Sequence, residues 1–118
     1  MEFDHWTVLF LIRCEPPPAL AETATDAIQD AHLSYLAKLH TDGQLLAAGP
    51  VERRAESRLA GICIFRVAVE EARALGESDP AVRAGLFRPE VVSWSVPSGA
   101  VRFGPARFPR SMADVNSE

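Results

Sequence analysis

Along the chain, apolar positions recur first with the period of a strand and then with that of a helix. The first clear run is Trp6 to Cys14, WTVLFLIRC. Trp6, Val8, Phe10, Ile12 and Cys14 share one side of an extended chain, with Leu9 and Leu11 on the other. A strand that is apolar on both sides is expected to be covered on both. Pro16-Pro17-Pro18 ends it, because proline offers no N–H to a ladder and restricts the residue before it. From Glu22 to Thr41 the spacing becomes helical: Ile28, His32, Tyr35, Leu36 and Leu39 fall on one face. Gly43 supplies the left-handed residue that stops a helix.

Gln44 to Gly49 reads as a second strand, closed by Pro50. Val51 to Ala60 is polar and carries Arg53, Arg54 and Arg58, which fits a solvated loop or hairpin arm. Gly61 to Val69, GICIFRVAV, is a third strand. A second helix begins over Glu70 to Leu75 and restarts or continues at Ser78-Asp79-Pro80. There Asp79 suits the N-cap, Pro80 the first helical position, and Gly85 the close of the turn. Val91 to Val96, VVSWSV, is the fourth strand. The order β-α-β-β-α-β is the ferredoxin-like α+β arrangement, a four-stranded antiparallel sheet with two helices on one face. Nothing remains in the chain to cover the other face, for which Leu9, Leu11, Phe65, Val67 and Trp94 are candidates on one side or the other. Left in water, it would exceed the apolar patch of an ordinary monomer. Two copies packed sheet to sheet would solve this, burying about 800 Å² on each partner. The expectation is a homodimer.

The 118 residues suit one domain, 1–97, followed by a C-terminal extension, 98–118. Val101, Phe103 and Phe108 favour partial docking of that extension on the domain or on a partner subunit. The net charge of −4, with no basic stripe, argues against nucleic acid as a partner. No apolar stretch approaches the roughly 20 residues that cross a bilayer, and the N-terminus carries Glu2 and Asp4 rather than a basic leader. The expected setting is cytoplasmic, away from membranes. Cys14 and Cys63 sit in apolar runs, as buried free thiols do. No zinc spacing and no glycine-rich phosphate loop occur, so neither a metal nor a cofactor is called for.

Two residues stand out chemically. His32 lies on the apolar face of the first helix, where an imidazole either finds local hydrogen bonds in a core or faces a cavity and moves protons. Asp79 is explained by capping alone, yet a carboxylate has a second oxygen with which to orient a histidine. Arg13 and Arg66 interrupt apolar strands. Each fits a strand end reaching solvent, or a site for a ligand's carboxylate or phenolate. Trp94 fits the core or the wall of a pocket. His40, near a helix end, fits a structural role, and His5 a solvated one.

These pieces together resemble the YciI-like (YCII-related) family. The resemblance runs from Trp6 to Val96, carried by WTVLFLIRC, AHLSYLAKLHTDG, QLLAAGPV, GICIFRV, EEARAL and SDPAVRAG. Its most specific parts are His32-Leu33, Gly43 through Ala48-Gly49-Pro50, and Asp79-Pro80 followed by Ala84-Gly85. The resemblance implies a dimeric α+β barrel shared with muconolactone isomerases, with His32 and Asp79 matching the family's catalytic pair. One relative class is a dehydrochlorinase acting on a chlorinated hydroxyhydroquinone. The expected activity is that of a cofactor-independent lyase, isomerase or cyclase acting on a small, mainly apolar cyclic or enolisable molecule. Arg13, Arg66 and Trp94 are its candidate substrate contacts. The competing expectation is a non-catalytic ligand-binding or regulatory module of the same fold. The segment after Pro97 is longer than the usual family end.

Overall fold

The computed structural model describes residues 1–117. Its elements are β1 (Phe3–Arg13), α1 (Glu22–Thr41), β2 (Leu45–Pro50), β3 (Leu59–Phe65), α2 (Val69–Glu77), α3 (Pro80–Arg83), β4 (Phe87–Pro97) and α4 (Met112–Val115). The four strands form one sheet in the order β2-β3-β1-β4. All three pairings are antiparallel. This is the ferredoxin-like α+β arrangement that the pattern of the chain predicts.

Each strand differs from those expectations at one end or both, β1 for example beginning at Phe3 rather than Trp6, and the two largest differences have local reasons. β3 ends at Phe65 rather than Val69. The Arg66 N–H donates to Gln44 O at 2.9 Å, the chain turns, and α2 begins at Val69. Thr7 Oγ1 holds the turn by donating to Val67 O at 2.6 Å. β4 begins at Phe87, four positions before Val91, and contains Pro89. It is an edge strand, where a proline without an N–H can face outward at no cost to the ladder.

The register divides the side chains between two faces. Leu9, Leu11, Cys63, Phe65, Leu45, Leu39 and Ala72 form the buried core between helices and sheet. α2 comes very close to that sheet. A Cβ built on Gly76 would lie 2.5 Å from Leu9 Cδ1 and 3.3 Å from Pro89 Cβ. Leu9 is itself 1% exposed and has nowhere to swing. Gly76→Ala should therefore lower stability by about 1–2 kcal/mol despite alanine's better helix propensity, because overpacking outweighs it. The urea midpoint is the check.

The opposite face carries Trp6, Val8, Phe10 and Ile12 from β1, Ile62 and Ile64 from β3, and Val92 and Trp94 from β4. Val92 and Trp94 are 45% and 40% exposed. The segment after β4 folds back on the domain. Ser98 N–H donates to Glu2 O at 3.1 Å and Gly99 N–H to Asp4 Oδ2 at 2.9 Å. Phe103 then meets Trp6 edge to face, with ring centroids 5.0 Å apart. Further on, Phe108 packs against the core on the helical side. Among the described residues, no helix is long and apolar enough to cross a membrane.

Candidate active site

α1 places His32 on its inward face, and the break between α2 and α3 places Asp79 opposite it. That break follows from Ser78-Asp79-Pro80. Pro80 can open a helix but cannot continue one, and Asp79 takes the extended N-cap conformation, φ −64 and ψ 128. Asp79 Oδ1 accepts from the Ala81 N–H at 2.9 Å, the ordinary capping bond. The same carboxylate receives His32 Nδ1, at 2.7 Å from Oδ2 and 2.9 Å from Oδ1. Capping and pairing thus coexist on one side chain. Both residues are buried, His32 at 7% exposure and Asp79 at 2%.

The pairing sets the histidine's tautomer. A carboxylate accepts, so Nδ1 carries the proton and the Nε2 lone pair is left over in the neutral ring. Nε2 makes no hydrogen bond with any described residue. It is not sealed either, since among the described residues the side-chain nitrogen or oxygen buried without a partner is Trp6 Nε1.

His32 lines a cavity of about 700 Å³ between α1 and the helix-facing side of the sheet. Its walls are mostly apolar, with Leu11, Leu33, Leu36, Ala48, Phe87 and Phe108 prominent. The Phe87 ring lies 6.1 Å from the His32 ring, centroid to centroid, and is inclined to it by 61°. Asp79 stands behind His32 and is not part of the lining.

Of the other expected contacts, Arg13 reaches this cavity. One of its nitrogens, Nη1, leans on Leu59 O at 3.3 Å and Ser57 O at 3.4 Å. Arg66 is exposed at the turn after β3, and Trp94 lies on the opposite face of the sheet. Neither lines the cavity. Arg66 ends up at the turn because the strand stops one residue earlier. Trp94 has the parity of Trp6, its partner across β1 and β4. Gln29 lines the cavity too, as its position one turn before His32 would have indicated. Arg107 and Met112, from the segment after β4, also contribute, and no periodicity in that segment pointed to them.

His5 Nδ1 pairs with Ser95 Oγ at 2.8 Å, at the surface. His40 has its two ring nitrogens on backbone carbonyls, Nδ1 on Leu45 O at 2.8 Å and Nε2 on Ala106 O at 3.2 Å. Among the described residues, no group of three or more His, Cys, Asp or Glu side chains is gathered in a way that could hold a metal ion.

Cys63 also borders the cavity, but its burial, reinforced by the Asp79 carboxylate, pushes the thiol up to about 12 from 9.0. It stays protonated near neutrality and is not a thiolate nucleophile. Burial, and again the Asp79 charge, raises Tyr35 above its ordinary value. Its hydroxyl donates to Leu75 O at 2.7 Å. The native state therefore binds the Cys63 proton more tightly than the unfolded chain does. Stability from this group is complete below pH 9 and declines as pH rises toward 12. Its slope reaches at most about 1.4 kcal/mol per pH unit. Cys63→Ala should flatten the fall in denaturation midpoint measured between pH 9 and 11, whatever it does to the midpoint at pH 7.

A family profile described as the YCII-related domain matches residues 8–95. The chain belongs to the YCII-related family. The match takes in both His32 and Asp79 and stops within β4. Among solved structures, the chain is similar to 5-chloro-2-hydroxyhydroquinone dehydrochlorinase (TftG) from Burkholderia phenoliruptrix AC1100, in complex with 2,5-dihydroxybenzoquinone. The TM-score is 0.54 at 20% identity, covering 75% of this chain and 92% of that one. At that identity the likeness speaks to the fold. No curated protein sequence matched.

Proposed function

We propose that this protein is a cofactor-independent lyase- or isomerase-type enzyme in which His32 Nε2 moves a proton on a small cyclic or enolisable substrate. The observation that carries the reading is the His32–Asp79 pair, whose one uncommitted nitrogen belongs to a residue lining a mostly apolar cavity. A dehydrochlorinase of the same fold, holding a dihydroxybenzoquinone, supports both the reaction class and the kind of ligand.

The chemistry follows from the arrangement. Asp79, held in turn by the Ala81 N–H, keeps the proton on Nδ1 and aims the ring. Nε2 takes a proton from a carbon acidified by a neighbouring carbonyl. In an elimination, the C–H electrons become the new double bond, the leaving group departs with its electron pair, and the imidazolium keeps the proton. In an isomerisation, Nε2 returns the proton to another carbon of the same enolate. The Asp79 charge offsets the positive charge the ring acquires. Arg13, which lines the same cavity, would hold an oxygen on which negative charge develops.

The test needs no known substrate. Cyclic enolisable ketones and hydroxylated quinones are incubated with the protein in D₂O, and loss of C–H signal is followed by proton NMR. Exchange above buffer with wild type, absent in His32→Ala, supports the reading. Saturable binding across the panel with no exchange would instead favour the non-catalytic binding module.

The uncovered face of the sheet supports a homodimer. Val92 and Trp94 lie exposed beside the half-exposed Phe10, Ile12, Ile62 and Ile64. Phe103 shields Trp6 at one corner and leaves these open. In this reading the dimer holds 1–97 as the barrel domain of each copy, with 98–118 as an extension.

A further inference from the structure

Residues after the YCII-related match supply part of the cavity wall. Arg107, Phe108, Pro109, Met112, Asp114 and Val115 border the same space as His32. They are tied down independently of any ligand. The Phe108 ring stacks on the His40 ring, centroids 3.9 Å apart and planes 9° from parallel. His40 Nε2 lies 3.2 Å from Ala106 O, and the Met112 N–H donates to Asp30 Oδ1 of α1 at 2.8 Å. The segment is therefore built into the site rather than draped near it.

Its charges are unevenly committed. Asp114 is occupied in closing the turn before α4. Its Oδ2 accepts from the Arg110 N–H at 2.8 Å, while its own N–H donates to Ser111 Oγ at 3.1 Å. Arg107 touches it only loosely, Nη2 to Oδ1 at 3.8 Å, and is otherwise open to solvent. Such an exposed pair is readily exchanged for a better anion. Arg13 likewise spends one nitrogen on two long contacts and keeps the rest of its fork. Two arginines thus border a largely apolar space, against one carboxylate that is already engaged.

The geometry points to the segment from Ala106 to Val115 as the substrate-selecting wall of this cavity, with Arg107 and Arg13 selecting ligands that join an apolar ring body to one anionic group. This rests on the cavity being the substrate's, and adds the ligand's charge and the residue that reads it.

The probes are 8-anilino-1-naphthalenesulfonate and N-phenyl-1-naphthylamine, which share a ring body and differ by the sulfonate. Fluorescence titration gives both affinities. The His32 Cε1–H resonance shows whether the dye sits in the cavity rather than on the open sheet face. Wild type should prefer the sulfonate. R107Q should lose about tenfold in affinity for it and stay within twofold for the neutral dye, the loss of a charge-assisted contact. M112K, a change at an exposed side chain, should strengthen the sulfonate relative to the neutral dye. A preference ratio unmoved in R107Q, or a His32 resonance indifferent to both dyes, would overturn the assignment. Since neither titration needs turnover, dye selectivity without proton exchange would sink the proton-transfer reading alone. Exchange without dye selectivity would sink this one alone.

Discussion

Replacing His32 with asparagine should cut proton exchange or turnover at least about a hundredfold, with substrate affinity changed far less, because general acid–base catalysis contributes about 10²–10⁴-fold. The NH₂ of asparagine stands where Nδ1 stood and can still donate to Asp79, so the buried carboxylate is not stranded and the fold survives. What disappears is the basic lone pair over the cavity. Asp79→Asn separates the two roles of that side chain. An asparagine still caps α3 through its carbonyl oxygen, leaving its NH₂ toward the imidazole. The ring would then present Nδ1 as the acceptor and carry its proton on Nε2, the wrong way round for a base. The rate should fall with little change in melting temperature. Unchanged exchange in both variants, under conditions where wild type is active, would remove the pair from the chemistry.

The second large effect concerns assembly. Wild type should sediment at twice the chain mass at micromolar concentration, and Val92→Glu at the chain mass. Val92 is 45% exposed in the single chain, so a carboxylate there is solvated and leaves the domain folded. In a symmetric sheet-to-sheet interface the same change buries two unpaired charges, each costing several kcal/mol, which should weaken association at least about a hundredfold. A wild-type protein that stays monomeric would mean that this face is tolerated in water, with Phe103 its main cover.

The fold was legible because its punctuation is strong. The proline run after β1, Gly43 and Gly85 at positive φ, and Asp79-Pro80 at a helix start each permit few alternatives. α1 lies where its periodicity predicts, from Glu22 to Thr41. The end of β3 was misplaced for a plain reason. Val67 and Val69 continue the alternation of β3 although the chain has already turned, and only the hydrogen bonds of Arg66 and Thr7 reveal it. Within the site, the spacing places His32 on the inner face of α1. That Asp79 reaches it, 47 residues away along the chain, is a tertiary fact carried by the resemblance and then seen in the structure. Arg13 was readable as an anomaly at a strand end. Arg66 looked equally anomalous and Trp94 fitted either core or pocket wall, but which end or face a strand residue takes depends on register and on where the strand stops. Arg107 and Met112 were invisible, because a segment without periodicity offers no face to assign.

The idea most open to direct attack is that the imidazole of α1 presents an unprotonated nitrogen to the ligand space. Long-range ¹H–¹⁵N correlation spectra of the three histidines, recorded across pH and assigned by substitution, decide it. For the neutral His32 ring they should show a protonated Nδ1 and a bare Nε2 whose shift moves when a ligand enters. A neutral ring protonated at Nε2, and unmoved by ligand, would contradict the account.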